Sequence, residues 1–199
     1  MIDAVILAAG ASARMGRDKA LLTLEGSTFI RRIIRLYTGA PVGGIVVVLG
    51  PDSGKVQNEI SAEDVVVVEN LNAEGGQISS LIVGIESLEN SGSDGILVHP
   101  VDHPMVSPAT IPALVNAASA NAGRIILPVC GGRRGHPVLF PASMFQELKD
   151  APVDTGARAV VRAHAPDILE VRTDDRGILI NIDTEEEYER IQRNLRGPS

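Results

Sequence analysis

Five apolar runs, alternating with segments of helical spacing, restrict this chain more than any other feature. Residues 2–8, 45–49, 65–68, 95–98 and 124–129 are nearly continuous stretches of Val, Ile, Leu and Ala, most of them bounded by Gly or Pro. Runs of this kind read as strands buried on both faces, as in a parallel sheet. Between them, Phe29, Ile30, Ile33, Ile34 and Tyr37 recur at helical spacing, as do Leu81, Ile82, Ile85 and Leu88. Gly26-Ser27 offers a turn and a helix N-cap, and residues 56–60 suit a short helix. Ser107-Pro108 reads as an N-cap with proline at the first helical position, opening a helix to about Ala120. Further helices are expected near 142–148 and opening at Asp154-Thr155. A last one is capped by Asp183-Thr184, with Glu at its start and Arg at its end as the helix dipole favours. Strands at 137–140, 168–171 and 178–182 complete the sheet, and the Gly131-Gly132 turn implies a local antiparallel piece. The alternation predicts a three-layer α/β/α domain over 1–196, with a doubly wound, mostly parallel sheet.

Aromatics make up only 3% of the 199 residues, so the core must be aliphatic. A net charge of −7 argues against general nucleic-acid binding, which needs a concentrated basic face. Positive charge is instead local: Arg14, Arg17 and Lys19 in one loop, Arg133 and Arg134 in another. Such pockets suit a small anion. No apolar run approaches the roughly 18 residues of a membrane span, and a cytoplasmic enzyme is expected. Cys130 is the sole cysteine, which rules out an intrachain disulfide.

Ligands of open α/β sheets sit at the carboxyl ends of strands. The loop after the first strand, Leu7-Ala8-Ala9-Gly10-Ala11-Ser12-Ala13-Arg14-Met15-Gly16-Arg17-Asp18-Lys19, is therefore the first candidate site. Its small residues let backbone N–H groups approach ligand oxygens, and Arg14 and Lys19 add charge. It is not a dinucleotide fingerprint, because Ser12 stands at the second glycine. It is not a Walker A loop either, because five residues separate Gly10 from Gly16 and Arg17-Asp18 follow. By its residues alone it is an anion-binding loop, or an ordinary strand–helix turn with solvated basic groups.

Leu7-Ala8-Ala9-Gly10, Ser12, Arg14-Met15-Gly16 and Lys19 match the L-A-A-G-x-S-x-R-M-G-x-x-K signature of the MobA-like nucleotidyltransferases. Within that group the sequence resembles the molybdenum cofactor cytidylyltransferases. The resemblance implies the nucleotide-diphospho-sugar transferase type of fold, with the loop binding a triphosphate and part of its base. Leu7, Ala8, Ala9, Gly10, Ser12 and Gly16 line the nucleotide, and Arg14 and Lys19 hold phosphates.

Four more segments extend the resemblance. Asn70, Gly76-Gln77 and Ser80 resemble a family segment lying against the base, with Leu71 and Ala73 standing where the family has proline and an aromatic. In His99-Pro100-Val101-Asp102-His103-Pro104, Asp102 matches a metal ligand and Pro100 lies beside the nucleotide. The rival reading of that stretch is a zinc site of His99, Asp102 and His103. Asn181-Ile182-Asp183-Thr184-Glu185 resembles an end motif whose third position, Asp183, supplies a second metal ligand; Asp183-Thr184 also reads as a plain helix cap. Gly135-His136-Pro137-Val138 and Gly156-Ala157-Arg158 resemble acceptor-side segments, which makes His136 and Arg158 acceptor-binding residues. Arg133 and Arg134 are open between that role and solvated loop charges.

The activity implied is Mg2+-dependent transfer of CMP from CTP to a phosphorylated acceptor, molybdopterin by resemblance, with Lys19, Arg14 and Asp102 catalytic. Leu-Ala-Ala-Gly accompanies CTP in the family, whereas a second glycine in place of Ala9 accompanies GTP. Three alternatives remain at this point: another acceptor such as a sugar or polyol phosphate, a nucleotide sensor without turnover, or a chaperone that delivers cofactor to a molybdoenzyme.

Overall fold

The computed structural model describes residues 1–10, 17–72 and 75–196. In chain order these form β1 (Ile2–Ala8), β2 (Thr23–Leu24), β3 (Ser27–Thr28), α1 (Phe29–Thr38), β4 (Ile45–Leu49), α2 (Gly54–Glu59), β5 (Val66–Glu69) and α3 (Gly76–Glu86). There follow β6 (Gly95–Pro100), α4 (Thr110–Ala120), β7 (Ile126–Cys130), β8 (Arg133–Arg134), β9 (Val138–Pro141), α5 (Phe145–Lys149), α6 (Ala157–Ala163), β10 (Leu169–Arg172) and α7 (Glu185–Arg196). The main sheet runs β10-β7-β9-β6-β1-β4-β5, with β8 paired to β7. Parallel pairing joins β1 to β4 and β6, β4 to β5, and β7 to β10. The antiparallel piece is central: β9 runs against both β6 and β7.

Two-residue alternation along the strands builds a core on each face. Ala4 and Ile6 of β1, with Val47 and Leu49 of β4, pack against Ile33 and Ile34 of α1 and Leu114 of α4. Val5 and Leu7, with Val46 and Val48, pack on the other side against Leu81 and Ile85 of α3 and Val160 of α6. The helices thus flank the sheet as three layers. Gly84 lets α3 approach β1, since a Cβ there would lie 2.5 Å from Val5 Cγ1. A third cluster, Leu22, Leu24, Phe29, Ile182, Tyr188 and Ile191, seats α7 against the β2–β3 hairpin. No helix among the described residues is long and apolar enough to cross a membrane.

Three local expectations need correction. Residues 178–182 do not form a strand; Arg176–Leu179 is a 3-10 turn. The Asp175 carboxylate accepts from the Gly177 and Ser107 N–H groups at 2.8 and 2.7 Å and from the Thr110 hydroxyl at 2.7 Å. This local acceptor ties the backbone into a turn in preference to a ladder. Ser107 does not cap α4 directly: its hydroxyl accepts from the Ala109 N–H at 3.4 Å in a turn that precedes the helix, and α4 begins at Thr110. The N-cap of α1 is Thr28, whose hydroxyl accepts from the Arg31 N–H at 3.4 Å, while Gly26-Ser27 belongs to the hairpin. Glu25 and Gly26 both take positive φ, 50° and 78°, as a tight two-residue hairpin turn requires. Glu-Gly is a weaker hairpin signal than Asn-Gly, which is why pattern alone passes over it.

Candidate functional site

β1 and β6 are neighbours, so their carboxyl ends deliver Leu7-Ala8-Ala9-Gly10 and Pro100-Val101-Asp102 to one place. The Val101 N–H donates to the Leu7 carbonyl at 3.0 Å and carries this pairing past the strand end. Further on, the Ile182 N–H donates to the Asp102 carbonyl at 2.9 Å, which brings the segment before α7 alongside. Lys19 meets both: its Nζ is 2.5 Å from Asp183 Oδ1 and 3.9 Å from Asp102 Oδ2. Asp18 orients the lysine by capping the turn Lys19–Leu21, its carboxylate accepting from the Ala20 N–H at 3.0 Å.

The cap of α7 is made without the Asp183 side chain. Thr184 Oγ1 accepts from the Glu187 N–H at 3.2 Å, and the Glu187 carboxylate accepts from the Thr184 and Asp183 N–H groups at 3.0 and 2.8 Å. This reciprocal capping leaves the Asp183 carboxylate to Lys19 and to Asn181, whose Nδ2 donates to Oδ2 at 2.7 Å.

Asp102 is enclosed. Its Oδ1 is buried and has no hydrogen-bond partner among the described residues. Burial raises its pKa to about 6; Lys19 pulls it down, and the nearby Asp183 carboxylate pushes it up. Two carboxylates converging on one cation are a hard-oxygen donor set of the kind divalent metals favour.

His99 does not join them. Its Nε2 lies 3.0 Å from the His103 carbonyl, which can only accept, so Nε2 carries the proton and Nδ1 accepts from the Tyr37 hydroxyl at 2.8 Å. Both ring nitrogens are engaged away from Asp102, and the zinc reading loses its first ligand. The His103 ring stands 4.5 Å from that of His136, and the Nδ1 atoms of both are buried with no hydrogen-bond partner among the described residues. Burial lowers the pKa of His99 and His103 to about 4 and of His136 to about 3.

A cleft of about 610 Å³ opens over this centre, lined by Leu7, Ala8, Ala9, Gly10, Lys19 and Asp102 and, beyond them, by Gly76, Gln77, Ser80, Pro100, Asp183, His136 and Arg158. A second half of about 570 Å³ continues from it past Gln77, His136 and Arg158. The cleft gathers most of the expected site residues. Ser12, Arg14 and Gly16 lie outside the described residues. Asn70 is 1% exposed and stands behind the wall: its amide donates to Ser79 and Ser80 at 2.9 and 3.0 Å and accepts from the Asn72 N–H at 2.9 Å. It braces the start of α3. Arg134 reaches the second half while paired with Glu170 at 2.7 Å, and Arg133 is absent from the lining. Asp18, Val101 and Arg162 also line the cleft and were not singled out for binding from sequence, and His103, named there only as a zinc ligand, lines it too. For Arg162 the signal was its four-residue spacing from Arg158 on one helix.

Gly135 explains the fixed position of His136. A Cβ there would lie 2.4 Å from the Ile178 carbonyl oxygen, which accepts from the His136 N–H at 3.0 Å. Gly135→Ala is expected to cost roughly 2–3 kcal/mol through backbone displacement and to move His136. Chemical denaturation gives the stability. A His136 ring resonance unchanged from wild type would contradict the displacement.

The description of residues 4–168 as a MobA-like NTP transferase domain comes from the family model that matches there. The chain is 28% identical over 202 residues to a probable molybdenum cofactor guanylyltransferase of Bacillus cereus (strain Q1), covering 96% of each. It superposes on a nucleotidyl transferase from Methanothermobacter thermautotrophicus with a TM-score of 0.85 at 27% identity, covering 98% of each chain. It also resembles Rv0371C of Mycobacterium tuberculosis H37Rv, solved in complex with manganese, with a TM-score of 0.78 at 27% identity over 96% of this chain and 97% of that one.

Proposed function

Since this chain belongs to the MobA-like NTP transferase family and is a nucleotidyltransferase, we propose that it transfers CMP from CTP to a phosphorylated acceptor, molybdopterin in the first instance, within a single domain over 1–196. The observation that carries this reading is the convergence of Lys19, Asp102 and Asp183 beside the Leu7–Gly10 turn. The acceptor's terminal phosphate oxygen attacks the α-phosphorus, the bond from that phosphorus to the bridging oxygen breaks, and pyrophosphate leaves. The attacking phosphate is already ionised near neutral pH, so the protein supplies alignment and charge stabilisation, not a base.

Lys19, and Arg14 by its place in the family motif, neutralise charge on the triphosphate and leaving group. Ala8, Ala9 and Gly10 line the cleft beside Lys19, and Ser12 and Gly16 are assigned to the nucleotide by their place in the same motif. Gly76, Gln77, Ser80 and Pro100 bound the base and sugar side. His136 and Arg158, common to both halves of the cleft, hold the acceptor phosphate at the junction.

The metal assigned is Mg2+, held by Asp102 and Asp183. The buried Asp102 Oδ1, without a hydrogen-bond partner among the described residues, fits such an ion, as does an all-oxygen donor set. When bound, the cation supplies electrostatic stabilisation to the phosphate oxygens.

For the nucleotide, the Ala9 methyl favours CTP over the larger GTP. One methyl is worth about 1–3 kcal/mol of discrimination. GTP is the second reading, prompted by the guanylyltransferase name of the Bacillus cereus relative. Pyrophosphate release measured with each triphosphate, in Mg2+ and with molybdopterin, separates the two. At least tenfold higher kcat/KM is expected for CTP, narrowing in Ala9→Gly. Equal or faster release from GTP by the wild type would reverse the assignment. No release from any triphosphate would point to the sensor or chaperone alternatives.

A further inference from the structure

The two halves of the cleft differ in chemistry. The half around Lys19 is lined by charged and polar groups, whereas the second half has an apolar floor of Ile78, Leu81, Leu127, Val138, Phe140 and Val161 drawn from α3, β7, β9 and α6. Above that floor stand Arg158 and Arg162, one turn apart on α6. Side chains at this spacing are neighbours on a helix, with Cβ atoms about 5–6 Å apart, close enough for two guanidinium groups to share one phosphate. Among the described residues neither forms an ion pair with a carboxylate, in contrast to Arg134, which pairs with Glu170. Two like charges at this spacing repel until an anion lies between them.

We infer that Arg162 joins Arg158 in a two-arginine clamp for the acceptor's phosphomonoester, and that the body carrying this phosphate is a flat ring system whose face lies on the aliphatic floor. This rests on the nucleotidyl-transfer reading for the identity of the ligand as the acceptor. Arg158 borders both halves, so the clamped phosphate lies at the junction with the nucleotide, while Arg162 borders only the second half. A cavity of about 570 Å³ has room for a ring-sized body. Polyol hydroxyls turned onto these aliphatic side chains would be desolvated against carbon, each weakening binding by about tenfold. A sugar or glycerol phosphate is therefore a poor occupant.

The test is calorimetric titration of the full chain with 1-naphthyl phosphate and, separately, with glycerol 3-phosphate. One naphthyl phosphate is expected per chain, bound at least tenfold more tightly than glycerol 3-phosphate. Arg162→Gln is expected to weaken it about tenfold, with Arg162→Lys in between because the planar fork is lost. Arg133→Gln should leave it within twofold, since that side chain is absent from the lining. Equal binding of the two phosphates, an Arg162→Gln affinity within twofold of wild type, or loss of binding in Arg133→Gln would each overturn the inference. A CTP-induced thermal shift is read in parallel. Absent CTP binding with naphthyl phosphate still bound would sink the nucleotidyl-transfer reading and leave the apolar pocket and clamp standing. The converse would sink the clamp alone.

Discussion

Asp102→Asn is expected to yield a protein that releases pyrophosphate about 10²–10³-fold more slowly than wild type and yet is more stable above pH 7. Both effects come from one property of the carboxylate. It is half-buried, with one buried oxygen that has no hydrogen-bond partner among the described residues, and its pKa is raised to about 6. In the unfolded chain it titrates near 3.8, so at pH 8 the ionised group is disfavoured by folding by about 3 kcal/mol. The neutral amide removes that penalty and with it the charge that holds a cation. Loss of activity together with gain of stability separates a functional carboxylate from a structural one, which would lose both. Denaturant titration and a pyrophosphate assay on the same preparation read the two sides. Turnover at wild-type level, or a variant less stable than wild type at pH 8, would remove Asp102 from the centre. Lys19→Ala is expected to lose turnover to a similar degree, without a stability gain, because its ammonium sits between the Asp102 and Asp183 carboxylates and its loss leaves them facing each other.

The second large effect is acid lability. His99, His103 and His136 are held neutral, with pKa values lowered to about 4, 4 and 3 by burial, against 6.5 unfolded. A group whose folded pKa is depressed in this way stabilises the fold fully above 6.5 and loses that contribution as pH falls towards the folded value. Below pH 6.5 the unfolded chain takes up protons that the folded one does not. His99 is the clearest case, since a proton on Nδ1 would face the Tyr37 hydroxyl that now donates to it, with His103 and His136 the other titratable groups nearby. Asp102 acts in the opposite sense, gaining stability as pH falls from 6 towards 4. The net loss at pH 5 is about 3–5 kcal/mol, or roughly 10 °C in Tm for a domain of this size. Tm measured from pH 8 to pH 4.5 tests this directly. His99→Gln, whose amide can donate to the His103 carbonyl and accept from Tyr37, should flatten the curve. A Tm that is level down to pH 4.5 would contradict the buried, neutral histidines.

Much of the fold was legible because its signals are local. Each strand of the β1, β4 and β6 set is a contiguous apolar run, and each flanking helix carries its spacing within a dozen residues. The misreadings occurred where a distant group decided a local conformation. Residues 178–182 have strand composition, but Asp175 and the Met105 carbonyl packed against Gly177 set a 3-10 turn. Asn70 reads as a nucleotide-side residue from the resemblance alone; its place behind the cleft wall, bonded to Ser79 and Ser80, is legible only in three dimensions.

The sequence by itself determined the alternating architecture, the Leu7–Lys19 loop and the residue types that gather around it, since these depend on short-range pattern. Only the tertiary structure decided that Asp102 and Asp183 share Lys19, because their approach depends on the Ile182–Asp102 backbone bond across 80 residues of chain. It also decided that Thr184 and Glu187, not Asp183, cap the last helix, and that His99 turns to Tyr37 instead of to Asp102. Each of these depends on which hydrogen-bond partner is nearest in space, and buried polar groups take the partner that packing leaves within reach.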